Sequence, residues 1–217
     1  MIGAAIADRH FEGTDQRGAG LVAQQFNTIT SENVLKWEHV HPEPGRFNFT
    51  ETDRYVEFGE RHGMFIVGHT LVWHSQTPRW VFQDASGNPL GRDSLLARMR
   101  EHIHTVVGQY KGRIKGWDVV NEALDEDGSL RNSPWRRIIG DDYIAKAFEF
   151  AREPDPGVGT RPAHGAVFRG DAGRRHHRRR AAHRSVRAAG ARRSGAGGGG
   201  HPLRGGVQSW VRVLGAP

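Results

Sequence analysis

Short apolar runs alternate with amphipathic segments along much of this chain, and this alternation restricts the fold more than any other feature. Residues 65–70 and 114–120 are short and mostly apolar, as in buried β-strands. Between them, apolar side chains recur at helical spacing from Leu95 to Tyr110, which predicts a helix that Asp93 would cap. Strands and helices in this order form parallel sheets with the helices packed outside. The sequence therefore predicts an α/β fold.

The same alternation begins near the first residue and continues to residue 153. Further strands are predicted at residues 3–6 and 27–30, with helices near 15–26 and 53–62, and Asp141 would cap a last helix. Roughly four β/α units fit in this length, which is half of a (β/α)8 TIM barrel. A complete barrel typically takes about 250 residues, whereas this chain has 217. A half barrel would leave its first and fourth strands as open edges.

Residues 154–217 have a different composition and no apolar periodicity. They contain 13 Arg and no Lys, and they also lack Glu, Asn, Tyr, Ile and Met. Runs such as residues 173–180 and 197–200 cannot bury enough apolar surface to offset their conformational entropy. We therefore predict a barrel part at residues 1–153 and a disordered, Arg-, Gly- and Ala-rich tail at residues 154–217.

Two origins of this tail are open. Arg, Gly, Ala and Pro have GC-rich codons, which favours a frameshift near Glu153 in a GC-rich gene, and the alternative is a genuine basic tail. A genuine tail would bind polyanions without sequence specificity and would release them in salt. We expect no metal site at His176, His177 and His183, because a run of arginines gives them neither fixed geometry nor a favourable charge.

Three polar clusters each follow a predicted strand. In a β/α barrel the carboxyl ends of the strands meet at one mouth, where the reaction site lies. The clusters are therefore expected to converge. Their members are Ser31, Glu32, Asn33, Lys36 and Trp37 after the second strand, His69, Trp73, His74 and Gln76 after the third, and Asn121 and Glu122 after the fourth.

The chemistry of these clusters suits a sugar chain. Carboxylate, amide, lysine and imidazole groups bind hydroxyls, and the faces of indole rings cover the apolar face of a pyranose. Glu122 is the best candidate for proton transfer, because it stands at a strand end. We expect burial among Trp and Val side chains to raise the pKa of Glu122, as a general acid requires.

Three long segments then carry a resemblance to a known family. Residues 26–37 (FNTITSENVLKW), 68–76 (GHTLVWHSQ) and 117–123 (WDVVNEA) resemble signatures of glycoside hydrolase family 10, the retaining xylanases. The resemblance covers residues 1 to about 153. It implies a (β/α)8 barrel that hydrolyses internal β-1,4 links of xylan, binds xylan or xylo-oligosaccharides and uses no cofactor. It also implies an extracellular protein, although we recognise no signal peptide, membrane span or specific nucleic-acid site.

The resemblance also implies a role for individual residues. Glu122 matches the general acid/base of the family, and Asn121 matches the neighbour that binds the sugar 2-hydroxyl. The other matched positions are sugar contacts, with Glu32, Asn33 and Lys36 on the glycone side and His69, Trp73 and Gln76 near the cleavage point.

Simpler interpretations stand beside these roles. Glu32 and Asn33 would also suit a turn or a helix cap. His69 would also suit a core histidine with satisfied hydrogen bonds, and Trp73 would suit plain core packing. His39 and His41 are expected to be loop residues without a role.

The second carboxyl group of a retaining glycosidase has no counterpart in this sequence. Two such groups about 5–5.5 Å apart are required. In the family the nucleophile is a Glu in a late Thr-Glu-Leu-Asp-like motif, whereas Glu153 is the last Glu here. We therefore predict that the chain is inactive or nearly so, and oligosaccharide binding without turnover is the alternative function. Glu32, Asp118, Asp155 and Asp171 are poor substitutes, because attack requires a closely held geometry.

Overall fold

The computed structural model describes residues 1–156 and the backbone of residues 210–214. Most of the tail predicted to be disordered, residues 154–217, lies outside these described residues, as do His176, His177 and His183. Within the described ranges no helix is long and apolar enough to cross a membrane.

A sheet of five strands in the order β1-β2-β3-β4-β5 forms the centre of the described structure. The first four strands are parallel, as the β/α alternation predicts. The fifth strand is antiparallel to β4. The strands are β1 Gly3–Ile6, β2 Thr28–Ser31, β3 Phe65–Val72, β4 Gly116–Asn121 and β5 Trp210–Leu214.

The prediction that the fourth strand is an open edge is wrong. Val120 of β4 pairs with Val211, and Trp117 pairs with Val213. Residues 210–214 are rich in aromatic and β-branched side chains, which fit a pleated sheet, and this local preference differs from that of the Arg- and Gly-rich runs before them. The edge strands of the described sheet are then β1 and β5.

Among the described residues, seven α-helices and one short 3-10 helix, Arg79–Val81, connect and cover the parallel strands. The last two α-helices follow β4, and no parallel strand follows them in the described residues. The helices are α1 Asp8–Phe11, α2 Gln16–Gln25, α3 Trp37–Val40, α4 Thr50–Arg61, α5 Arg92–Gln109, α6 Pro134–Ile139 and α7 Tyr143–Arg152.

Two predicted helix caps are wrong by one or two residues. Helix α5 has Gly91 as its N-cap, and Asp93 lies in the first turn, where its charge still favours the positive end of the helix. Helix α7 begins after Asp142 rather than Asp141. Neither carboxylate caps it, because Asp142 is bound by Arg92 and Asp141 by Arg136.

The core between the sheet and the helices is apolar, with a few directed polar contacts. The Tyr55 hydroxyl on α4 lies 3.0 Å from the Ile29 carbonyl oxygen and 2.8 Å from that of Val67, so it ties the helix to β2 and β3. Gly68 of β3 lies against the ring of Trp117, where a β-carbon would come within 2.2 Å of the indole. Only glycine fits this contact.

The expectation that His39 and His41 are loop residues is also wrong. His39 belongs to helix α3, and His41 is its buried C-cap. The His41 ring stacks on Phe47 with 3.8 Å between centroids, and its Nδ1 lies 3.3 Å from Nδ1 of His102. Trp37 stacks on His102 at 3.6 Å. We name Trp37, His41, Phe47 and His102 the aromatic cluster.

Candidate active site

The carboxyl ends of β2, β3 and β4 bring the three predicted clusters to one side of the sheet. Because the strands are parallel, their carboxyl ends lie on the same side, where Val72 at the end of β3 pairs with Val120 of β4 and Thr30 of β2 pairs with Val67 in the middle of β3. The chain leaves β2 at Glu32, whose backbone N–H donates to the Ile6 carbonyl at 3.1 Å and so is fixed against the end of β1. The predicted convergence is confirmed for these three strands.

Glu122 is held at the end of β4 by a directed hydrogen bond. Its Oε2 accepts from the indole Nε1 of Trp73 at 3.0 Å and lies 3.7 Å from Nε2 of His74. The backbone of Glu122 has a φ of 49°, in the left-handed region that non-glycine residues seldom adopt. Its carbonyl accepts from Nε of Arg131 at 2.9 Å. The carboxylate is therefore oriented while its side chain stays 22% exposed.

Trp73, in the loop that follows β3, is held through both its backbone and its ring. Its carbonyl accepts from the Thr77 hydroxyl and from Nε1 of Trp135, both at 2.8 Å. Nζ of Lys36 lies 5.0 Å from the centre of the Trp73 ring, within cation–π distance. The indole ring thus links the lysine after β2 with the glutamate after β4.

Lys36 carries charge into this site. Its Nζ donates to Oδ1 of Asn33 at 3.1 Å. Burial lowers the pKa of Lys36, and the carboxylates of Glu38, Glu32 and Glu122 act in the opposite direction. The ammonium group is therefore partly dehydrated and is balanced by acids on two of the converging segments.

His69 lies deeper, inside the sheet. It is the neighbour of Asp118 in the pairing of β3 with β4, and its Nδ1 lies 3.4 Å from Oδ2 of the aspartate. Both residues are buried, and a cis peptide bond joins His69 to Thr70. This position agrees with the simpler interpretation as a core histidine, and a sugar contact by His69 stays a prediction.

Gln76 and Asn121 each present a polar atom without a partner. Oε1 of Gln76 and Oδ1 of Asn121 are buried, and neither has a hydrogen-bond partner among the described residues. Buried acceptors are normally satisfied, so such atoms call for a donor such as water or a ligand hydroxyl. The backbone carbonyl of Gln76 accepts from the Glu38 N–H at 3.1 Å, which ties the loop after β3 to α3.

The structure adds residues that the site predictions omitted. Trp135 supports Trp73, and Arg131 holds the backbone of Glu122. His74 was in a predicted cluster without a role; burial lowers its pKa, and so does the charge of Arg131, while Glu122 and Asp125 raise it. A small pocket beside Glu122 is lined by Val72, Trp73, His74, Val120, Asn121, Glu122, Ser133, Trp135 and Tyr143.

The site has the components of acid–base chemistry on a hydroxylated ligand. It combines a positioned carboxylate, an indole face, a lysine and unpaired amide acceptors. Across residues 1–156, no group of three or more His, Asp or Glu side chains is arranged to hold a metal ion.

Comparison with known proteins gives consistent matches. The model of glycosyl hydrolase family 10 matches residues 1–160, which extends past the predicted boundary at 153. An endo-1,4-beta-xylanase of Geobacillus stearothermophilus is 48% identical over 162 residues, which is 71% of this chain and 46% of the relative. The chain therefore spans about half the length of such curated relatives.

Solved structures agree with these sequence matches. A GH10 endoxylanase retrieved from a sugarcane soil metagenome superimposes with a TM-score of 0.68 at 49% identity, covering 71% of this chain and 45% of that one. An intracellular xylanase of Thermoanaerobacterium saccharolyticum superimposes at 0.67 with 46% identity, covering 71% and 50%. A mutant of the latter was crystallised with xylotetraose.

Proposed function

This chain belongs to glycosyl hydrolase family 10, and from that premise we propose that its site binds β-1,4-linked xylan and supplies the general acid/base for retaining endo-hydrolysis. The carboxylate of Glu122, fixed by the Trp73 indole at the end of β4, carries this proposal. In the first step Glu122 would protonate the glycosidic oxygen as the bond to the anomeric carbon breaks. In the second step it would take a proton from the attacking water.

The surroundings of Glu122 support an oligosaccharide ligand. Lys36 and Asn33 offer hydrogen-bonding groups beside the Trp73 ring. Indole faces favour the apolar face of a sugar, and unpaired acceptors favour its hydroxyls. We propose Glu32, Asn33 and Lys36 as glycone contacts, and His69, Trp73, Gln76 and Asn121 as contacts near the cleaved bond.

The second carboxyl group is the missing part of this chemistry. Asp118 is buried beside His69 inside the sheet, and Glu153 is bound by Arg100 and His104 between α5 and α7. Asp155 was assigned to the tail, but it is buried, and its Oδ2 accepts from the Gly112 N–H at 3.2 Å. None of these three is positioned to attack a sugar bound at Glu122.

We therefore propose that the 217-residue chain alone binds xylo-oligosaccharides and turns them over slowly or not at all. Calorimetric titration with xylotriose and a reducing-sugar assay on xylan test the two statements separately. The matched variants are Glu122→Gln in the site and Glu57→Gln on the exposed face of α4.

We expect binding to the unmodified chain and to Glu57→Gln, with sugar release no faster than from Glu122→Gln. If the unmodified chain releases sugar from xylan and Glu122→Gln does not, the expectation of inactivity is wrong, while the xylanase assignment stays intact. Absence of any binding by a folded chain would overturn the site assignment itself.

We also propose that the protein acts outside the cell. Xylan is a polymer, and a cell that degrades it meets it in its surroundings. The intracellular relative means that family membership alone does not decide this point. Immunodetection of the chain in culture medium and in washed cells of the source organism tests it, and a chain found only inside cells would refute it.

A further inference from the structure

A second concave surface lies beside the site, between the loop after β3 and helix α6. This groove has a volume of about 270 Å³. Its walls are apolar where Phe82, Pro89, Pro134 and Ile138 line it. Pro134 precedes Trp135, which lines the pocket at Glu122, so groove and pocket share one helix.

Two arginines, Arg79 and Arg137, give the groove its charge. Both line it, together with Gln83, and the lining contains no acidic side chain from residues 1–156. Neither arginine has a carboxylate within ion-pair distance among the described residues. Most other arginines among residues 1–156 form an ion pair with a carboxylate. These are Arg9, Arg46, Arg54, Arg92, Arg100, Arg113, Arg131 and Arg136.

The acids closest in sequence do not neutralise these two arginines. Oδ1 of Asp84 accepts from the backbone N–H groups of Ser86 and Asn88, which closes the turn that precedes Pro89. Asp141 is bound by Arg136. Arg137 itself donates from Nη1 to the Asn132 carbonyl at 2.6 Å, a neutral partner that leaves its charge uncompensated.

Both walls of the groove are held by contacts within the protein. On one side, Gln83 pairs with Pro89 in a short bridge, and Nη1 of Arg98 donates to the Gln83 carbonyl at 2.9 Å. On the other side, the Ser133 hydroxyl caps α6. The walls meet where Phe82 packs edge-on against Trp135 at 4.8 Å between centroids. A ligand would therefore meet a preformed surface, which lowers the entropic cost of binding.

We propose that this groove binds a carboxylate-bearing sugar, namely a uronic acid branch of the polysaccharide whose backbone lies at Glu122. An anionic sugar has an apolar ring face for Phe82 and Ile138 and a carboxylate for the two arginines, whose guanidinium groups bind carboxylates in a bidentate manner. The position beside the pocket rests on the proposed function, because it takes the backbone to be bound at that site.

The experiment compares three soluble probes by calorimetric titration on the full chain. They are xylotriose, xylotriose carrying one glucuronic acid branch, and the same branched probe with its carboxyl group reduced to an alcohol. The variants are Arg79→Gln, Arg79→Gln/Arg137→Gln and, as a matched control, Arg17→Gln, an exposed arginine on α2. Thermal unfolding checks that each variant is folded, and Arg79→Gln alone serves if the double variant is not.

We expect the acidic probe to bind about fivefold more tightly than its reduced form, as one well-oriented charge contact would give. The preference should persist in Arg17→Gln, disappear in the double variant and shrink in 0.5 M salt to roughly twofold or less, since exposed charges are screened. Equal binding of the acidic and reduced probes, or a preference that survives in the double variant, would overturn the proposal.

Xylotriose separates this proposal from the proposed function. If xylotriose binds and the branch carboxylate adds nothing, the groove proposal alone fails. If the acidic probe binds through the arginines while xylotriose does not bind, the groove proposal stands and backbone binding at Glu122 fails.

Discussion

Pairs of histidines lie in two regions of this molecule and face different groups, a second imidazole in one region and carboxylates in the other. In the aromatic cluster, His41 and His102 face each other through their Nδ1 atoms and lie between the rings of Phe47 and Trp37. At the site, His69 faces the carboxylate of Asp118 and His74 faces that of Glu122.

The neighbours decide what each histidine can do. A hydrogen bond between two imidazole Nδ1 atoms 3.3 Å apart requires one to donate its N–H and the other to accept, so at least one of the two rings is neutral. Burial lowers the pKa of His41 to about 4 and that of His102 well below its usual value, so the cluster is neutral filling for the core. At the site, burial and the charge of Arg131 also lower the pKa of His74, while the carboxylate of Glu122 acts in the opposite direction. The first region therefore consists of neutral packed rings, whereas the second combines histidines with carboxylates at the proposed site.

The largest expected effect is the loss of a ring from the aromatic cluster. Trp37→Ala removes a fully buried indole that contacts both histidines, and it should lower the free energy of unfolding by about 3–5 kcal/mol. Urea denaturation followed by circular dichroism measures this change. A loss below about 1 kcal/mol would show that the cluster is not a main support of the fold.

Acid should act on the same cluster. The folded-state pKa of His41, about 4, lies below the value of about 6.5 in an unfolded chain, so the unfolded state binds more protons between these values. The free energy of unfolding should therefore fall by on the order of 2 kcal/mol as the pH drops from 6.5 to 4. His41→Phe should flatten this part of the pH profile in urea titrations, whereas an unchanged slope would assign the acid sensitivity to other groups.

A change in the second region should affect binding more than stability. Trp73→Phe keeps a ring but removes the N–H that donates to Glu122. We expect a loss of about 1 kcal/mol in the free energy of unfolding and a roughly fivefold weaker binding of xylotriose. If this variant were as unstable as Trp37→Ala, the division between the two regions would not hold.

The smallest effect should come from His39, a neighbour of the cluster in sequence only. Its side chain is 37% exposed, and Nε2 lies 3.9 Å from a Glu38 oxygen. His39→Ala should change the free energy of unfolding by less than about 0.5 kcal/mol. The same urea titration on His41→Ala then measures how much more the buried histidine contributes to the free energy of unfolding than the exposed one.

The sequence predicted the repeated features of the fold and missed those that depend on distant partners. Regular apolar spacing revealed the four parallel strands, and the polar residues after them revealed the site. Helix starts were missed where a distant side chain decides, as when Arg92 binds the carboxylate of Asp142. The burial of His41 depends on His102, which lies 61 positions away. No local pattern announces such a pair.

Trp135 and the strand at residues 210–214 were missed for related reasons. Trp135 belongs to a short helix with no repeating apolar pattern, and it is connected with the site through its hydrogen bond to the Trp73 carbonyl and its place in the pocket at Glu122. Composition averaged over residues 154–217 concealed a five-residue segment with strand preference. The frameshift hypothesis for the tail stays a prediction, and sequencing the gene beyond the codon for Glu153 in all three frames tests it.

The left-handed backbone at Glu122 affects which substitutions at this position the fold would tolerate. Successive side chains of a strand point to opposite faces, yet Asn121 and Glu122 both line the same pocket, because the chain turns at a φ of 49°. Glycine or asparagine adopts this conformation more easily than glutamate does. Replacing Glu122 with either residue would remove the proposed acid/base and relax the backbone, so a screen for folded or heat-stable variants would retain sequences that lack this carboxylate.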